Sequence, residues 1–126
     1  MGLVQSKVTI SNPRAPELAP LEIEALADSG SITLCIPEHV RLQLDLEELE
    51  RREVTTADGR KTPCPYVGPV QVTFQNRSCY TGALVLGDSV LLGAIPMEDM
   101  DLIIHPSRHE LAVNPESPNI PSAIVK

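Results

Sequence analysis

The residues of this 126-residue chain with most capacity for chemistry lie in one short stretch, Ala25-Leu26-Ala27-Asp28-Ser29-Gly30-Ser31. Leu21, Ile23 and Ala25 alternate with Glu22 and Glu24, and the run then becomes wholly small or apolar at Ala25-Leu26-Ala27. A strand reads this way when one face, and finally both, enter a core. It delivers Asp28 into a turn made by Ser29 and Gly30. An acid at the end of a buried strand is costly unless donors hold it, so its placement there implies a purpose. The chemistry open to it is proton transfer, which a carboxylate performs best beside a second one that drives the two titrations apart. Asp45, Asp58, Asp88, Asp99 and Asp101 lack the turn, and Asp88-Ser89 runs into Val90 where a glycine would be needed. A single chain thus holds half of such a pair. The other half must come from a second copy across a two-fold axis, which makes a homodimer the expectation.

Other chemistries find less support. Cys35, Cys64 and Cys79 are odd in number and widely spread, which suits unpaired thiols in a reducing, cytoplasmic setting. Together with His39, His105 and His109 they offer no close pair of ligands, so neither a metal nor another cofactor is expected. No Cys/His or Ser/His arrangement points to a nucleophilic hydrolase. A formal charge of −7 disfavours nucleic acid and anionic membrane as partners. No apolar run approaches the ~20 residues of a membrane span, and no basic-then-apolar leader is visible. Met1-Gly2-Leu3-Val4-Gln5-Ser6 fits the loose myristoylation pattern, with an ordinary chain start as the simpler reading.

Several short elements must position Asp28. Twelve prolines and seven glycines favour turns and short strands over long helices, and the scarcity of aromatics, 2%, leaves a core of Val, Leu, Ile and Ala. Lys7–Ser11 reads as a first strand, Arg14–Pro20 as a loop, Leu21–Ala27 as the strand carrying the acid, and Ile32–Ile36 as another. Pro37 can open a helix at its first position, with Val40 and Leu44 on one face and Leu49 continuing it. The charged run Glu47–Glu53 reads as a solvated helix end or loop. Ala57-Asp58-Gly59-Arg60 holds the strongest hairpin signal in the chain. Pro63 and Pro65 on its returning arm confine it to an edge or make it project. Gly68-Pro69 should break the chain, Val70–Phe74 and Ser78–Leu86 should be strands about a turn at Asn76-Arg77, and Val90-Leu91-Leu92 a short buried strand stopped by Gly93. Pro96–Asp101 reads as a brief helix with acids early, and Leu102–Ile104 with Leu111–Val113 as a last hairpin through Pro106. The domain should span 1–113, followed by a Pro-rich extended or disordered stretch over 114–126.

In this order, Asp28-Ser29-Gly30, then a hairpin tipped by Ala57-Asp58-Gly59-Arg60, then Leu91-Leu92-Gly93 before a short helix, the chain resembles the retroviral-type (retropepsin-like) aspartic proteases and especially their small cellular relatives. The likeness runs from about Val8 to Val113. It implies an all-β fold, a closed β-barrel-like acid protease half with a flap hairpin and one or two short helices. It also implies that Asp28 is the catalytic acid, that Ser29, Gly30 and Ser31 complete its loop, and that Leu91-Leu92-Gly93 packs behind it. Viral members often have alanine where Ser31 stands. A hydroxyl there could reach the carboxylate and favour its charged form, or simply cap the turn. Two departures stand out: Ile32 and Thr33 occupy positions that are usually acidic, and Ala94 stands where arginine is common. The bracing ion pair of viral enzymes is therefore missing.

The activity implied is endopeptidase hydrolysis of peptide or protein substrates through a water activated by the Asp28 pair of a homodimer. The alternative is a catalytically weak or inactive dimeric peptide-binding or assembly module of the same fold, which the missing ion pair favours.

Overall fold

The computed structural model describes residues 4–105 and 107–125. Alternating or wholly apolar runs mark most of its strands. In chain order the strands are β1 (Val4–Ser11), β2 (Leu21–Ala27), β3 (Leu34–Ile36), β4 (Glu47–Thr55), β5 (Lys61–Phe74), β6 (Arg77–Val85), β7 (Val90–Leu92), β8 (Leu102–His105) and β9 (Glu110–Val113). Helix α1 (Glu38–Gln43) follows β3, and α2 (Ala94–Asp99) follows β7. The strands neighbour one another in the order β1-β2-β7-β3-β6-β5, and β5 returns to β1 through Ile10↔Val72 and its neighbours. Six strands thereby close into a barrel whose edges are satisfied by one another. Strand β4 hangs on the outer side of β5, and β8 with β9 forms a separate two-stranded sheet.

The barrel is filled by branched aliphatics. Val8, Ile10, Leu34, Ile36, Val70, Val72 and Leu92 are essentially inaccessible, and the only phenylalanine, Phe74, joins them. Two parallel pairings matter for the site: β2 runs beside β7 with Ala27 opposite Leu92, and β3 runs beside β6 with Cys35 opposite Leu84. Because Cys35 also faces Leu91, β7 is clamped between β2 and β3. The acid-bearing strand and the strand of the second motif are therefore immediate neighbours.

The Leu21–Ala27 and Val90–Leu92 strands and the closing β8–β9 hairpin form where their apolar residues place them. Other expectations need correction. Pro37 is the N-cap of α1, one residue outside it, and the helix does not continue to Leu49. It stops because Asp45 takes a positive φ of 51° and turns the chain, after which buried Leu46 pins the new direction. The charged run Glu47–Glu53 is neither helix nor loop but most of β4, exposed along nearly its whole length. As an outer strand it has no core-facing side, so no apolar periodicity announces it. Gly68-Pro69 does not end a strand either; β5 runs through it with an irregularity between Val67 and Val70. Such bulges accommodate a proline that cannot donate to the ladder. Strand β1 starts earlier than read, at Val4, and β3 later, at Leu34. Arg77 opens β6 instead of sitting in the turn, and α2 begins at Ala94 with no acid in its first turn. Residues 1–3 and Pro106 lie outside the described residues, and with them the Met1-Gly2 start of the myristoylation pattern.

Candidate active site

Strand β2 ends at Ala27, and the next residue is tied at once to the second motif: Asp28 N–H donates to the Leu92 carbonyl at 3.0 Å. Its own carbonyl accepts from Ser31 N–H at 3.1 Å, closing a turn over Ser29 and Gly30. The carboxylate bends back into that turn, where Gly30 N–H donates to Oδ1 at 2.9 Å. Asp28 is half-buried, with Ser29 and Gly30 exposed beside it. The acid is thus fixed by the backbone on one side and open on the other, as a group must be if it is to meet a ligand.

The loop is latched from behind. Ala94 N–H donates to the Ser31 carbonyl at 2.8 Å, and Ile95 N–H to the Ile32 carbonyl at 2.9 Å. Both donors belong to the first turn of α2, so the start of that helix grips the backbone that follows the acid. Gly93 makes this approach possible. A Cβ on it would lie 2.5 Å from the Thr33 carbonyl oxygen and 2.6 Å from the Ile32 carbonyl carbon, inside contact distance of backbone that cannot swing away. Leu92 is buried and Leu91 half-buried in the same support. The bonds that Ser31 makes to Asp28 run through its backbone N–H.

In front of the loop lies a cavity of about 510 Å³. Its floor is Gly30 to Thr33 with Cys35, Leu84 and Leu86, and its roof is Val54, Thr55, Thr56 and Ala57. The roof belongs to the β4–β5 hairpin. From Lys61 to Pro65, β5 pairs only with β4, so the hairpin stands clear of the barrel before Tyr66 and Val67 join β6. Its tip is braced within itself: Thr56 N–H donates to the Arg60 carbonyl at 2.8 Å, and Gly59 takes a positive φ of 87°. The Asp58 carboxylate accepts from the Thr56 hydroxyl and from Arg60, and these donors, the hydroxyl first, hold its pKa below the usual aspartate value. At the base, the Arg52 guanidinium stacks on the Tyr66 ring, 3.6 Å from its centre. The phenolic end of that ring lies over Gly82, where a Cβ would come within 2.2 Å of it.

Of the residues singled out in the sequence, Gly30 and Ser31 of the Asp28 turn and Ala57 of the hairpin line this cavity, while Asp28, Ser29, Asp58–Arg60 and the Leu91-Leu92-Gly93 support do not. Sequence reasoning did not find Cys35, Val54, Leu84 and Leu86, since a strand's register decides which of its residues face a cleft. Burial, and after it the neighbouring Cys64, pushes the Cys35 thiol's pKa up, so it sits in the cavity floor as a protonated, poorly reactive group. Among the described residues no three His, Cys, Asp or Glu side chains gather to hold a metal ion. No described helix is long and apolar enough to cross a membrane.

No protein-family model matches the chain, and no curated protein matches its sequence. Solved structures do. The crystal structure of the retroviral protease-like domain of Ddi1 from Leishmania major aligns with a TM-score of 0.57 at 12% identity, covering 91% of this chain and 90% of that one. The solution structure of the Simian Foamy Virus (mac) protease aligns with a TM-score of 0.46 at 18% identity, covering 73% of this chain and 91% of that one. The alignment with the Leishmania major domain shows the fold to be that of a retroviral protease-like domain: all-β, a closed barrel with two short helices.

Proposed function

We propose that the chain is one half of an aspartic endopeptidase, completed when a second copy brings its own Asp28 against the first. The observation that carries this reading is the half-open Asp28 carboxylate, held at Oδ1 by Gly30 N–H and set beside a cavity roofed by a projecting hairpin. Two such carboxylates about 3 Å apart share one proton. The ionised one draws a proton from a water, whose oxygen attacks the scissile carbonyl. The protonated one polarises that carbonyl and later helps protonate the leaving nitrogen. An extended peptide fits the cavity as an added strand between the Gly30–Thr33 floor and the Val54–Ala57 roof. The Ala57–Arg60 tip then acts as a flap over it. The unpaired Cys35, Cys64 and Cys79 fit a cytoplasmic protein.

The test is cleavage of a mixed peptide pool at mildly acidic pH, with Asp28→Asn and a statine-type inhibitor as controls and the solution mass measured alongside. Cleavage lost in both controls, from a species of twice the chain mass, is the expected result. Cleavage that persists in Asp28→Asn would assign the activity to something else. One observation favours the binding-module alternative: Ile32, 67% exposed beside the turn, is apolar where an acidic residue is usual. Peptide binding without cleavage by the unaltered chain would decide for that module.

A further inference from the structure

Beside the Asp28 turn, which contributes Ser29 to its wall, lies a second cavity of about 360 Å³. It is a groove between α2 and β8, lined by Ala94, Met97 and Leu102–Ile104, with Ser29 and Glu98 as its polar members. The last described stretch of the chain passes close by. Asn114 N–H donates to the Asp101 carbonyl and its side chain to Asp101 Oδ1, both at 3.1 Å. The Ser117 hydroxyl and Ser122 N–H both donate to Asp101 Oδ2, the latter at 2.9 Å. Asp101 sits between α2 and β8, so the chain is fastened at the end of the groove as far as Ser122. Beyond that, Ile124 still borders a hollow that it shares with Asp101, Ser117 and Ser122, but the apolar side chains lie largely in solvent. Ile124 and Val125 are 90% and 89% exposed, and Ile120 is 74% exposed.

We propose that Ala123-Ile124-Val125 of one copy docks in the α2–β8 groove of a second copy, each chain clasping the other. Two things on the molecule select that occupant. Ser29, which lines the groove, is the neighbour of Asp28. A second copy that brings its Asp28 to the first must therefore lie against the groove mouth. The fastened tail also presents its apolar residues to solvent instead of to its own groove, although three residues beyond Ser122 can span about 10 Å. A two-fold makes the contact reciprocal, with two tails and two grooves, and removes the exposed apolar surface of both. The proposal rests on the dimer reading above and names the contact that holds it together.

Sedimentation equilibrium on the full chain, on a chain ended after Ser122, and on Ile124→Asp/Val125→Asp provides the test. Ala123, Ile124 and Val125 are exposed, so folding should be preserved, and far-UV circular dichroism verifies this. Both variants should dimerise more weakly by at least about ten-fold, with peptide cleavage recovered when concentration restores the dimer. In a mixture of Ile103→Cys chains and Ile124→Cys chains, oxidation should give a disulfide between chains that peptide mapping locates at 103 and 124. A full-chain dimer indifferent to the tail variants would overturn the docking while leaving the dimer standing. Variants that cleave faster at every concentration would also overturn it, by placing the tail in the substrate cavity. A full chain that is monomeric at every concentration would remove the dimer reading and this contact together.

Discussion

Gly93 has no space for even a methyl group, because the Thr33 and Ile32 carbonyl groups stand where its Cβ would be. Gly93→Ala must push apart α2 and the strand after the Asp28 turn, and overpacking of this kind costs about 1–3 kcal/mol. Urea unfolding should show that loss, and peptide cleavage should fall further than stability does, since the displaced backbone carries the Ser31 and Ile32 carbonyls that α2 holds. Gly30→Ala separates the two effects. Its Cβ would meet only Asp28 Oδ1, at 3.1 Å, which is tight but next to a side chain that can shift by a few tenths of an ångström. Stability should be nearly unchanged while kcat drops, because the carboxylate loses its position. Both motif glycines were legible in the sequence, Gly30 as the turn residue after Asp28-Ser29 and Gly93 as the stop of the Val90–Leu92 run. Arg77 was not. It is 1% exposed, donates to the carbonyls of Met100 at 3.3 Å and of Ser117, and its partner Ser117 lies 40 residues further on. An arginine next to Asn76 reads as a turn residue because arginine is rarely buried, and no local pattern records partners so distant.

At the scale of elements, the same contrast separates β2 and β7 from β4. The first two enter the core, so their apolar runs mark their bounds; β4 touches no core and advertises only charge. Its hold on the molecule comes through β5, and the Tyr66 ring joins the two at the point where the hairpin leaves the barrel. Arg52 on β4 stacks on that ring, and Gly82 on β6 leaves space for its phenolic end. Tyr66→Leu removes the surface that Arg52 stacks on while keeping an apolar side chain above Gly82. Amide exchange over residues 51–61 should then quicken by a few-fold while the barrel strands keep their protection. If the hairpin serves as the flap, KM for a peptide should rise more than kcat falls, because its closure over the substrate is less favoured. Exchange that quickens equally in β1 and β6 would show instead that Tyr66 supports the whole barrel.

The β8–β9 sheet joins the core through buried Leu111, but the stretch after Asn114 lies outside both core and barrel and needs its own attachment to the whole. Asp101 provides it, with Arg77 reaching its Oδ2 at 3.8 Å from the buried side. Arg77→Met keeps the bulk but strips the Met100 and Ser117 carbonyls of their donor, and should cost about 2–4 kcal/mol in urea unfolding. The charge on Asp101 can be isolated by acid. The Ser117 hydroxyl, the Asn114 side chain and Ser122 N–H, in that order, bring its pKa from an ordinary 3.8 down to about 2. The folded chain therefore favours the ionised form more than the unfolded chain does. That contribution to stability is complete above about pH 3.8, declines as the folded group takes up its proton, and is gone once the pH falls below about 2. Asp101→Asn fits the same backbone, whose positive φ of 57° asparagine tolerates, but has no charge to lose. The unaltered chain should lose more stability than this variant between pH 4 and pH 2, and above pH 4 it should be the more stable of the two. The amides of Ser117 and Ser122 should report the release by nuclear magnetic resonance over the same interval, ahead of barrel residues such as Val72. Parallel acid curves for the two chains would mean that other carboxylates set the acid limit and that the tail is held chiefly by its neutral bonds.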